Sequence, residues 1–169
     1  ILFGRRNLFS WIGKRYPNPG IFDVKTWLKP TRVRSFRSRI LDVGCGQGEI
    51  LFRLAELGFQ SLTGIDPFLF DAREFGHVRL LSESIEQHRG GTYDLIMFHH
   101  SLEHIPNQLE TLRSVNRLLS PGGSCLIRIP IASRGAWKMY GTDWVELDAP
   151  RHFFLHSELS LKWVAMQVG

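Results

Sequence analysis

Three glycines and two aspartates occur in this sequence at spacings that suit the binding of a nucleoside. Gly44, Gly46 and Gly48 alternate in a loop after a short apolar segment, and Asp42 lies two residues before the first of them. Glycine lets the backbone take positive φ and lets a ligand approach closely, while the start of a following helix attracts anions. Asp66 ends the next apolar segment, where a carboxylate can accept hydrogen bonds from ribose hydroxyls. These residues predict a nucleoside site.

The spacing of the glycines indicates which nucleoside the site accepts. Dinucleotide-binding loops read G-x-G-x-x-G, whereas this loop reads G-x-G-x-G, with Glu49 where the third dinucleotide glycine would be. A carboxylate there would repel a pyrophosphate, which disfavours an NAD-dependent oxidoreductase. The loop D-V-G-C-G-x-G closely resembles the first motif of class I S-adenosylmethionine-dependent methyltransferases. That cofactor carries no phosphate, and Asp42 and the loop amides are suitable partners for its ammonium and carboxylate groups.

The resemblance to these methyltransferases continues over residues 39–169. Gly64-Ile65-Asp66-Pro67 resembles the end of the family's second strand, and Leu102-Glu103-His104 resembles the L-E-H segment after its fourth strand. Ser120-Pro121-Gly122-Gly123 is similar to the turn before the fifth strand. Trp144 and Asp148-Ala149-Pro150-Arg151-His152 resemble a W…D-x-P-R-H segment that is frequent in a subgroup often associated with small molecules and cell-surface sugars.

Position at the predicted carboxyl ends of strands, together with this resemblance, implies which residues bind the cofactor and its product, S-adenosylhomocysteine. Glu83 is the favoured partner for the adenine, Phe68 would either stack on the adenine or pack under the sheet, and His99 or His100 would line the methionine end. The full predicted set is Asp42, Gly44, Cys45, Gly46, Gly48, Asp66, Pro67, Phe68, Glu83, Ser84, Ile85, His99 and His100.

Histidines supply the candidates for catalysis. Methyl transfer from a sulfonium depends mainly on alignment, and a general base helps only if the acceptor is a hydroxyl. Histidine suits that role because its pKa lies near neutral pH. His104 and His152 are the predicted catalytic residues, and Trp144, Arg151 and His152 are the predicted acceptor-binding residues. A purely structural role is the alternative for both histidines, and for Trp144 the alternative is to fill a satellite core.

Length and composition fit one globular α/β unit. The 169 residues are 43% hydrophobic and 22% charged, which is ordinary for a globular protein with its own core. No apolar run reaches the ~18–20 residues of a membrane helix. Cys45 and Cys125 suggest neither a disulfide framework nor a metal site, which favours the cytoplasm. Much of the net charge of +5 comes from a cluster that we interpret as solvated rather than phosphate-binding: Lys29, Arg32, Arg34, Arg37 and Arg39.

Strand and helix patterns alternate from residue 39 onward, which predicts βαβ units and a doubly wound, mostly parallel sheet. Five strands in the order 3-2-1-4-5 are predicted, at 39–43, 61–65, 78–81, 94–98 and 124–129. Helices are predicted at 48–57, 106–119 and 157–168, and a short helical or irregular piece after Pro67. The aromatic-rich segment 131–156 is predicted to be a functional loop or lid.

Two predicted regions make up the chain. Residues 1–38 are expected to be a helical lead-in, with an amphipathic helix over Leu2–Arg15, and residues 39–169 to be the cofactor-binding domain. The resemblance implies a sixth and a seventh strand beyond Gly169, so the domain is expected to be truncated at its C-terminus. Without them, the fifth strand would be an exposed edge.

The sequence therefore predicts methyl transfer from S-adenosylmethionine to a small molecule, such as a sugar, a lipid-linked or an aromatic hydroxyl. One alternative is a cofactor-binding domain without catalysis. A nucleic-acid methyltransferase is less favoured, because Phe98-His99-His100-Ser101 does not match the N/D-P-P-aromatic motif of amino-methylating members. The oligomeric state is not predicted.

Overall fold

A mixed seven-stranded sheet forms the centre of the computed structural model, which describes residues 2–4, 24–132 and 134–168. The strands are β1 (Leu2–Gly4), β2 (Arg39–Val43), β3 (Ser61–Ile65), β4 (Arg73–Phe75), β5 (Val78–Leu81), β6 (Tyr93–His99) and β7 (Leu119–Arg128). Their order across the sheet is β1-β7-β6-β2-β3-β5-β4. The five central strands are parallel, and β1 and β4 are antiparallel edges. The predicted five-strand order is confirmed.

Helices cover both faces of the sheet, as expected for a doubly wound fold. They are α1 (Val24–Leu28), α2 (Glu49–Glu56), α3 (Gln108–Leu118), α4 (Arg134–Tyr140) and α5 (Glu158–Met166), with 3-10 helices at Leu102–His104, Gly141–Asp143 and Val145–Leu147. Strand β6 shows why this apolar sequence becomes a central strand. Leu95 and Met97 enter the core beside α2, whereas Ile96 and Phe98 enter the core beside α3 and α5. A strand buried on both faces needs a continuous apolar run.

The edges of the sheet differ from the prediction. Leu2–Gly4 pairs antiparallel with β7, so the helix expected there is wrong at these three residues, and residues 5–23 lie outside the described part. Strand β1 pairs with Ser124, Cys125 and Leu126 on the outer side of β7, so the edge that was expected to be exposed is covered there. Strand β4 lies where a short helical or irregular piece was expected, and it forms a hairpin around Gly76 with β5, which was predicted. The domain boundary at residue 39 stays a prediction.

Among the residues that the structure describes, no helix combines the length and the apolar character needed to cross a membrane.

Helix α5 begins at a reciprocal cap. The Ser157 hydroxyl accepts the Ser160 N–H at 3.1 Å, and the Ser160 hydroxyl accepts the Ser157 N–H at 2.9 Å. Ser157→Ala should therefore lower the free energy of unfolding by about 1 kcal/mol, measured by urea denaturation. Ser157→Asp keeps an acceptor beside the positive end of the helix dipole and should be neutral. Equal destabilisation by both variants would contradict this account.

Candidate functional site

The glycine loop is tied to the end of the neighbouring strand β3. The N–H groups of Gly44 and Cys45 donate to the Ile65 carbonyl at 2.8 and 3.2 Å. Gly44 and Gly46 have φ of 72° and 53°, the left-handed region that glycine tolerates. The Gly46 N–H donates to Asp66 Oδ2 at 2.9 Å. The loop therefore has a fixed shape, and the predicted ribose acid lies against it.

Asp66 and its neighbours form the more open side of the site. The second carboxylate oxygen of Asp66 accepts the Phe68 N–H at 2.9 Å. The Phe68 ring is 94% exposed, so the alternative in which it packs under the sheet is wrong, and Pro67 is exposed beside it. Among described residues, no heavy atom beyond its chain neighbours lies within 4 Å of a Cβ built at Gly46. The loop backbone is therefore accessible to a ligand there.

Gly48 has a different role from the other two glycines. It is buried, has φ of 83° and precedes the first residue of α2. A Cβ at this position would lie 2.8 Å from Leu80 Cδ2. Gly48 therefore allows α2 to approach strand β5 closely, and its position does not indicate ligand contact.

A cavity of about 230 Å³ opens beside the loop, at the carboxyl ends of β2, β6 and β7. Five of its lining residues were predicted from the sequence, namely Asp42, Gly44, Cys45, His99 and His100. The other four were missed, namely Glu49, Ile50, Arg53 and Arg128. The acidic residue that argued against a pyrophosphate, Glu49, forms an ion pair with Arg53 at 2.5 Å, one helical turn on.

Asp42 contributes a buried acceptor to this cavity. Its side chain is 2% exposed, and its Oδ1 atom has no hydrogen-bond partner among the described residues. Burial, with a smaller contribution from the negative charge of Asp66, raises the pKa of Asp42 to about 8. An ionised carboxylate without a partner is costly in such a place. A cationic ligand would compensate that cost.

His99 contributes a buried donor to the same cavity. Arg128 Nη1 lies 3.2 Å from His99 Nδ1, and because a guanidinium only donates, Nδ1 accepts and Nε2 carries the hydrogen. Nε2 is buried without a partner among the described residues. Burial, followed by the Arg128 charge, lowers the pKa of His99 to about 3, so the ring is neutral. Asp42 and His99 thus offer one acceptor and one donor, which suits the ammonium and carboxylate of an amino acid.

Helix α1 covers this side of the cavity. The Arg128 guanidinium lies 3.9 Å from the centre of the Trp27 ring, and the Trp27 and His99 rings are 4.9 Å apart.

The Cys45 thiol has a pKa raised to about 12, chiefly by burial and next by Asp42 and Asp66. It therefore stays protonated and is not a nucleophile.

The three residues predicted to bind the adenine, Glu83, Ser84 and Ile85, make contacts outside the cavity. Glu83 Oε1 lies 2.5 Å from His88 Nδ1, and His88 Nε2 lies 2.7 Å from the Tyr93 hydroxyl in a buried network. The Ser84 N–H donates to the Gln87 side chain at 3.0 Å. Ile85 is 2% exposed and packs in the core. The structure does not place these three side chains in the cavity, and their role in adenine binding stays a prediction.

The two predicted catalytic histidines lie together, although 48 positions separate them in the chain. The ring centres of His104 and His152 are 4.7 Å apart. His104 Nδ1 lies 3.0 Å from the Arg151 carbonyl, and His152 Nδ1 lies 2.9 Å from the Glu146 carbonyl. A carbonyl only accepts, so both Nδ1 atoms carry hydrogen, and in the neutral form of each ring Nε2 has the lone pair.

Glu103 completes this cluster and was missed as a site residue. It is 1% exposed, and neither carboxylate oxygen has a hydrogen-bond partner among the described residues. Burial raises its pKa, and the Glu103 backbone N–H, followed by the neighbouring His100, His104 and His152, opposes that change. Its Oε1 lies 3.7 Å from Nδ1 of His100, which also lines the cavity beside the loop. The histidine pair and the cavity are therefore adjacent.

The remaining predicted acceptor-binding residues, Trp144 and Arg151, lie in the segment between β7 and α5. Arg151 is exposed, and its guanidinium pairs with Asp148 Oδ1 at 2.5 and 3.0 Å. Trp144 is half-buried between two 3-10 helices. The Phe153 N–H donates to the Glu103 carbonyl at 2.9 Å, which ties this segment to the cluster.

The fold and the glycine loop define an α/β protein of the Rossmann-like nucleoside-binding class. The family described as "Methyltransferase domain" matches residues 18–169, and the chain belongs to it. The predicted membership in a methyltransferase family is thereby confirmed.

Among curated proteins, the chain is similar to ubiquinone biosynthesis O-methyltransferases. The one from Vibrio parahaemolyticus is 35% identical over 99 residues, which cover 52% of this chain and 42% of that protein. The one from Sodalis glossinidius is 32% identical over 130 residues, which cover 69% of this chain and 51% of that protein. The chain thus spans about half the length of these relatives.

Solved structures share the fold at low identity. A phosphoethanolamine N-methyltransferase from Haemonchus contortus has a TM-score of 0.60 and 19% identity, covering 86% of this chain and 36% of that one. The 1,6-didemethyltoxoflavin-N1-methyltransferase from Burkholderia thailandensis has a TM-score of 0.57 and 17% identity, covering 78% and 60%. Both were solved with S-adenosylhomocysteine.

Proposed function

We propose that this protein transfers the methyl group of S-adenosylmethionine to a hydroxyl of a small molecule. The observation that carries the proposal is the cavity beside the glycine loop, where Asp42 Oδ1 and His99 Nε2 are buried without partners among the described residues. A buried acceptor and a buried donor at one strand edge match the two charged groups of an amino acid. An NAD-dependent reaction would make no use of this pair.

Different residues of the site would bind different parts of the cofactor. Asp42 would accept from the ammonium and His99 would donate to the carboxylate, while Asp66 would accept from the ribose hydroxyls. Phe68, exposed beside Asp66, would stack on the adenine. When bound, the cofactor supplies an electrophilic methyl group on a sulfonium, and the protein aligns the acceptor with it.

In this proposal the acceptor binds beside His104 and His152 and the segment between β7 and α5. Backbone carbonyls hold the Nδ1 side of His104 and His152, so Nε2 of a neutral ring would be available to accept the proton of a hydroxyl. Arg151 and Trp144 would contact the rest of the acceptor. The names of the curated relatives, which are O-methyltransferases, support an oxygen acceptor.

Two alternatives remain distinct from this proposal. A nucleic-acid acceptor would need the basic cluster before β2, but Arg34 donates to the carbonyls of Thr31 and Val33, and Arg39 donates to that of Gly90. A binding domain without catalysis would bind the cofactor and transfer nothing.

We expect a cytoplasmic location, because Cys45 and Cys125 are free thiols.

A calorimetric titration with S-adenosylmethionine and with NAD tests the proposed cofactor site. The protein should bind the former only, and Asp66→Ala should weaken binding about tenfold or more, because charge-assisted hydrogen bonds to the ribose are lost. Asp71→Ala, an exposed aspartate five residues further on that pairs with Arg73, should leave the affinity unchanged. Binding of NAD, or equal loss in both variants, would contradict the proposal.

A further inference from the structure

We propose that Arg128 makes the cavity beside the glycine loop selective for ligands with a free carboxylate, by fixing His99 as a hydrogen-bond donor and by supplying a positive charge. This selectivity rests on the proposed function, because it concerns the same cofactor site. Asp42 and Asp66 would bind the ammonium and the ribose. Neither would distinguish S-adenosylmethionine from its decarboxylated analogue, which keeps the ammonium and the sulfonium. A further residue is therefore needed to recognise the carboxylate.

Arg128 reaches His99 because the two residues are paired in the sheet. They lie opposite each other in the parallel ladder between β6 and β7, and the Arg128 carbonyl accepts the His100 N–H at 2.8 Å. Both side chains line the cavity, and Arg128 Nη1 lies 3.2 Å from His99 Nδ1. Backbone pairing therefore fixes which cation meets this histidine.

The position of the hydrogen on the His99 ring depends on this contact. Burial, followed by the Arg128 charge, lowers the pKa of His99 to about 3, so the ring is neutral and has one N–H and one lone pair. The guanidinium only donates, so Nδ1 accepts and Nε2 carries the hydrogen. Nε2 is buried without a partner among the residues that the structure describes. Without Arg128 the ring could present its lone pair instead, and the cavity would then offer a second acceptor beside Asp42.

Trp27 restricts the guanidinium to this position. The Trp27 ring, from α1, has its centre 3.9 Å from the central carbon of the guanidinium and 4.9 Å from the centre of the His99 ring. A guanidinium is attracted to an aromatic ring within about 6 Å of its centre, and its planar shape suits such contacts better than an ammonium does. Arginine is therefore better suited than lysine to this position.

The charges around the cavity match a zwitterion. Two acidic and two basic side chains line it, namely Asp42, Glu49, Arg53 and Arg128. Glu49 and Arg53 pair with each other, so Asp42 and Arg128 supply the opposite signs of potential on the wall of the cavity. An ammonium and a carboxylate on one carbon atom need one acceptor and one donor of this kind.

Calorimetry with two ligands tests the selectivity. The full chain is titrated with S-adenosylmethionine and with its decarboxylated analogue, and the wild-type protein should prefer the former about tenfold or more, because a hydrogen bond to a charged group is at stake. Arg128→Met keeps an apolar chain against Trp27 and should lose the preference, with the affinity for the analogue unchanged or higher. Arg128→Lys keeps a donor and a charge and should restore part of the preference. Arg113→Met, at an exposed arginine of α3, is the matched control and should keep it in full.

Nuclear magnetic resonance of the His99 ring nitrogens gives a readout without ligand or activity. In isotope-labelled protein, the His99 signals are those that disappear in His99→Gln. The wild-type protein and Arg128→Lys should show the hydrogen on Nε2 and the lone pair on Nδ1. Arg128→Met should show a mixture of tautomers or the opposite one, which a merely structural role of Arg128 would not produce.

The outcomes separate this inference from the proposed function. Binding of S-adenosylmethionine without preference over the analogue, or equal loss of both ligands in Arg128→Met and Arg128→Lys, overturns the selectivity and leaves the proposed cofactor in place. A hydrogen on Nδ1 of His99 in the wild-type protein overturns the positioning role of Arg128. A folded wild-type protein that binds neither ligand overturns the proposed function, and the selectivity with it.

Discussion

Asp42→Asn is expected to stabilise the ligand-free protein and to weaken the binding of S-adenosylmethionine about a hundredfold, through loss of a buried charge pair. The two effects have one cause. The Asp42 carboxyl is 2% exposed, and its Oδ1 has no partner among the described residues. Ionisation is therefore unfavourable in the ligand-free protein, yet the ionised form is the one that an ammonium group requires.

The gain in unfolding free energy of Asp42→Asn over the wild-type protein should depend on pH. An aspartate in an unfolded chain ionises near pH 3.9, whereas burial and the neighbouring Asp66 raise the pKa of Asp42 to about 8. Between these values the folded state holds the additional proton, so stability falls as pH rises from about 4 to about 8 and is constant above that. The amide of the Asp42→Asn variant does not titrate, so that decline should disappear. At pH 9 the difference should reach several kcal/mol, since tenfold in an ionisation constant is about 1.4 kcal/mol.

Urea denaturation at pH 5 and pH 9 measures this effect. The wild-type protein should lose stability between the two values relative to Asp42→Asn. Asp94→Asn is the matched control, because the Asp94 carboxylate accepts hydrogen bonds from the Arg39 N–H and the Ser120 hydroxyl at 2.9 Å each. That variant should be less stable than wild type at both values. Parallel pH profiles for wild type and Asp42→Asn would contradict the assignment.

Cofactor affinity should show the complementary pH dependence. Binding to the wild-type protein should tighten as pH rises from 6 to about 8, because ionisation of Asp42 is needed to pair with the ammonium. Asp42→Asn should bind weakly with no such rise. A flat profile for the wild-type protein would show that another group recognises the ammonium.

Gly44→Ala is expected to cost about 2–5 kcal/mol, the sum of a left-handed backbone and a steric clash. Gly44 has φ of 72°, and an added Cβ would lie 2.5 Å from Ser101 Cβ. Ser101 cannot easily move away, because it is buried and its hydroxyl donates to the Val43 carbonyl at 2.6 Å. Cofactor binding should also fall, since the loop would have to shift.

Gly76→Ala isolates the backbone contribution. Gly76 has a similar φ of 57°, but no heavy atom of the described residues lies within 4 Å of its built Cβ, apart from its chain neighbours. This variant should lose only about 1–2 kcal/mol in thermal or urea unfolding. In a double-mutant cycle, Ser101→Gly should restore part of the stability of Gly44→Ala. Equal losses at Gly44 and Gly76 would contradict the proposed clash.

The sequence was sufficient to predict the centre of the sheet but not its edges. The apolar run in β6 and the glycine after β2 are local patterns, and right-handed βαβ crossovers leave few arrangements for the strands that they join. The pairing of Leu2–Gly4 with β7 is a contact between distant segments, and no local pattern marks it. Strand β4 has only three residues, too few to show a strand alternation, so its pairing with the predicted β5 was missed.

The residues of the candidate site were likewise predicted only in part from the sequence. Glu103 and Arg128 were missed, because each matters through its neighbours in space: Arg128 sets the tautomer of His99, and Glu103 lies beside three histidines. The sequence also did not indicate that Glu103 lies with His104 and His152, because these side chains come from a 3-10 helix after β6 and from the distant segment after β7.

The sequence by itself determined the glycine loop, the two aspartates at strand ends and the presence of the five central strands, because backbone freedom and hydrophobic periodicity are properties of neighbouring residues. The order of those strands was implied by the resemblance to methyltransferases. Only the tertiary structure decided which groups are protonated and which side chains meet. The pKa of Asp42, the neutral His99 and the contact of His104 with His152 all depend on burial and on packing between distant segments. Desolvation acts on a charge only after the chain has folded around it.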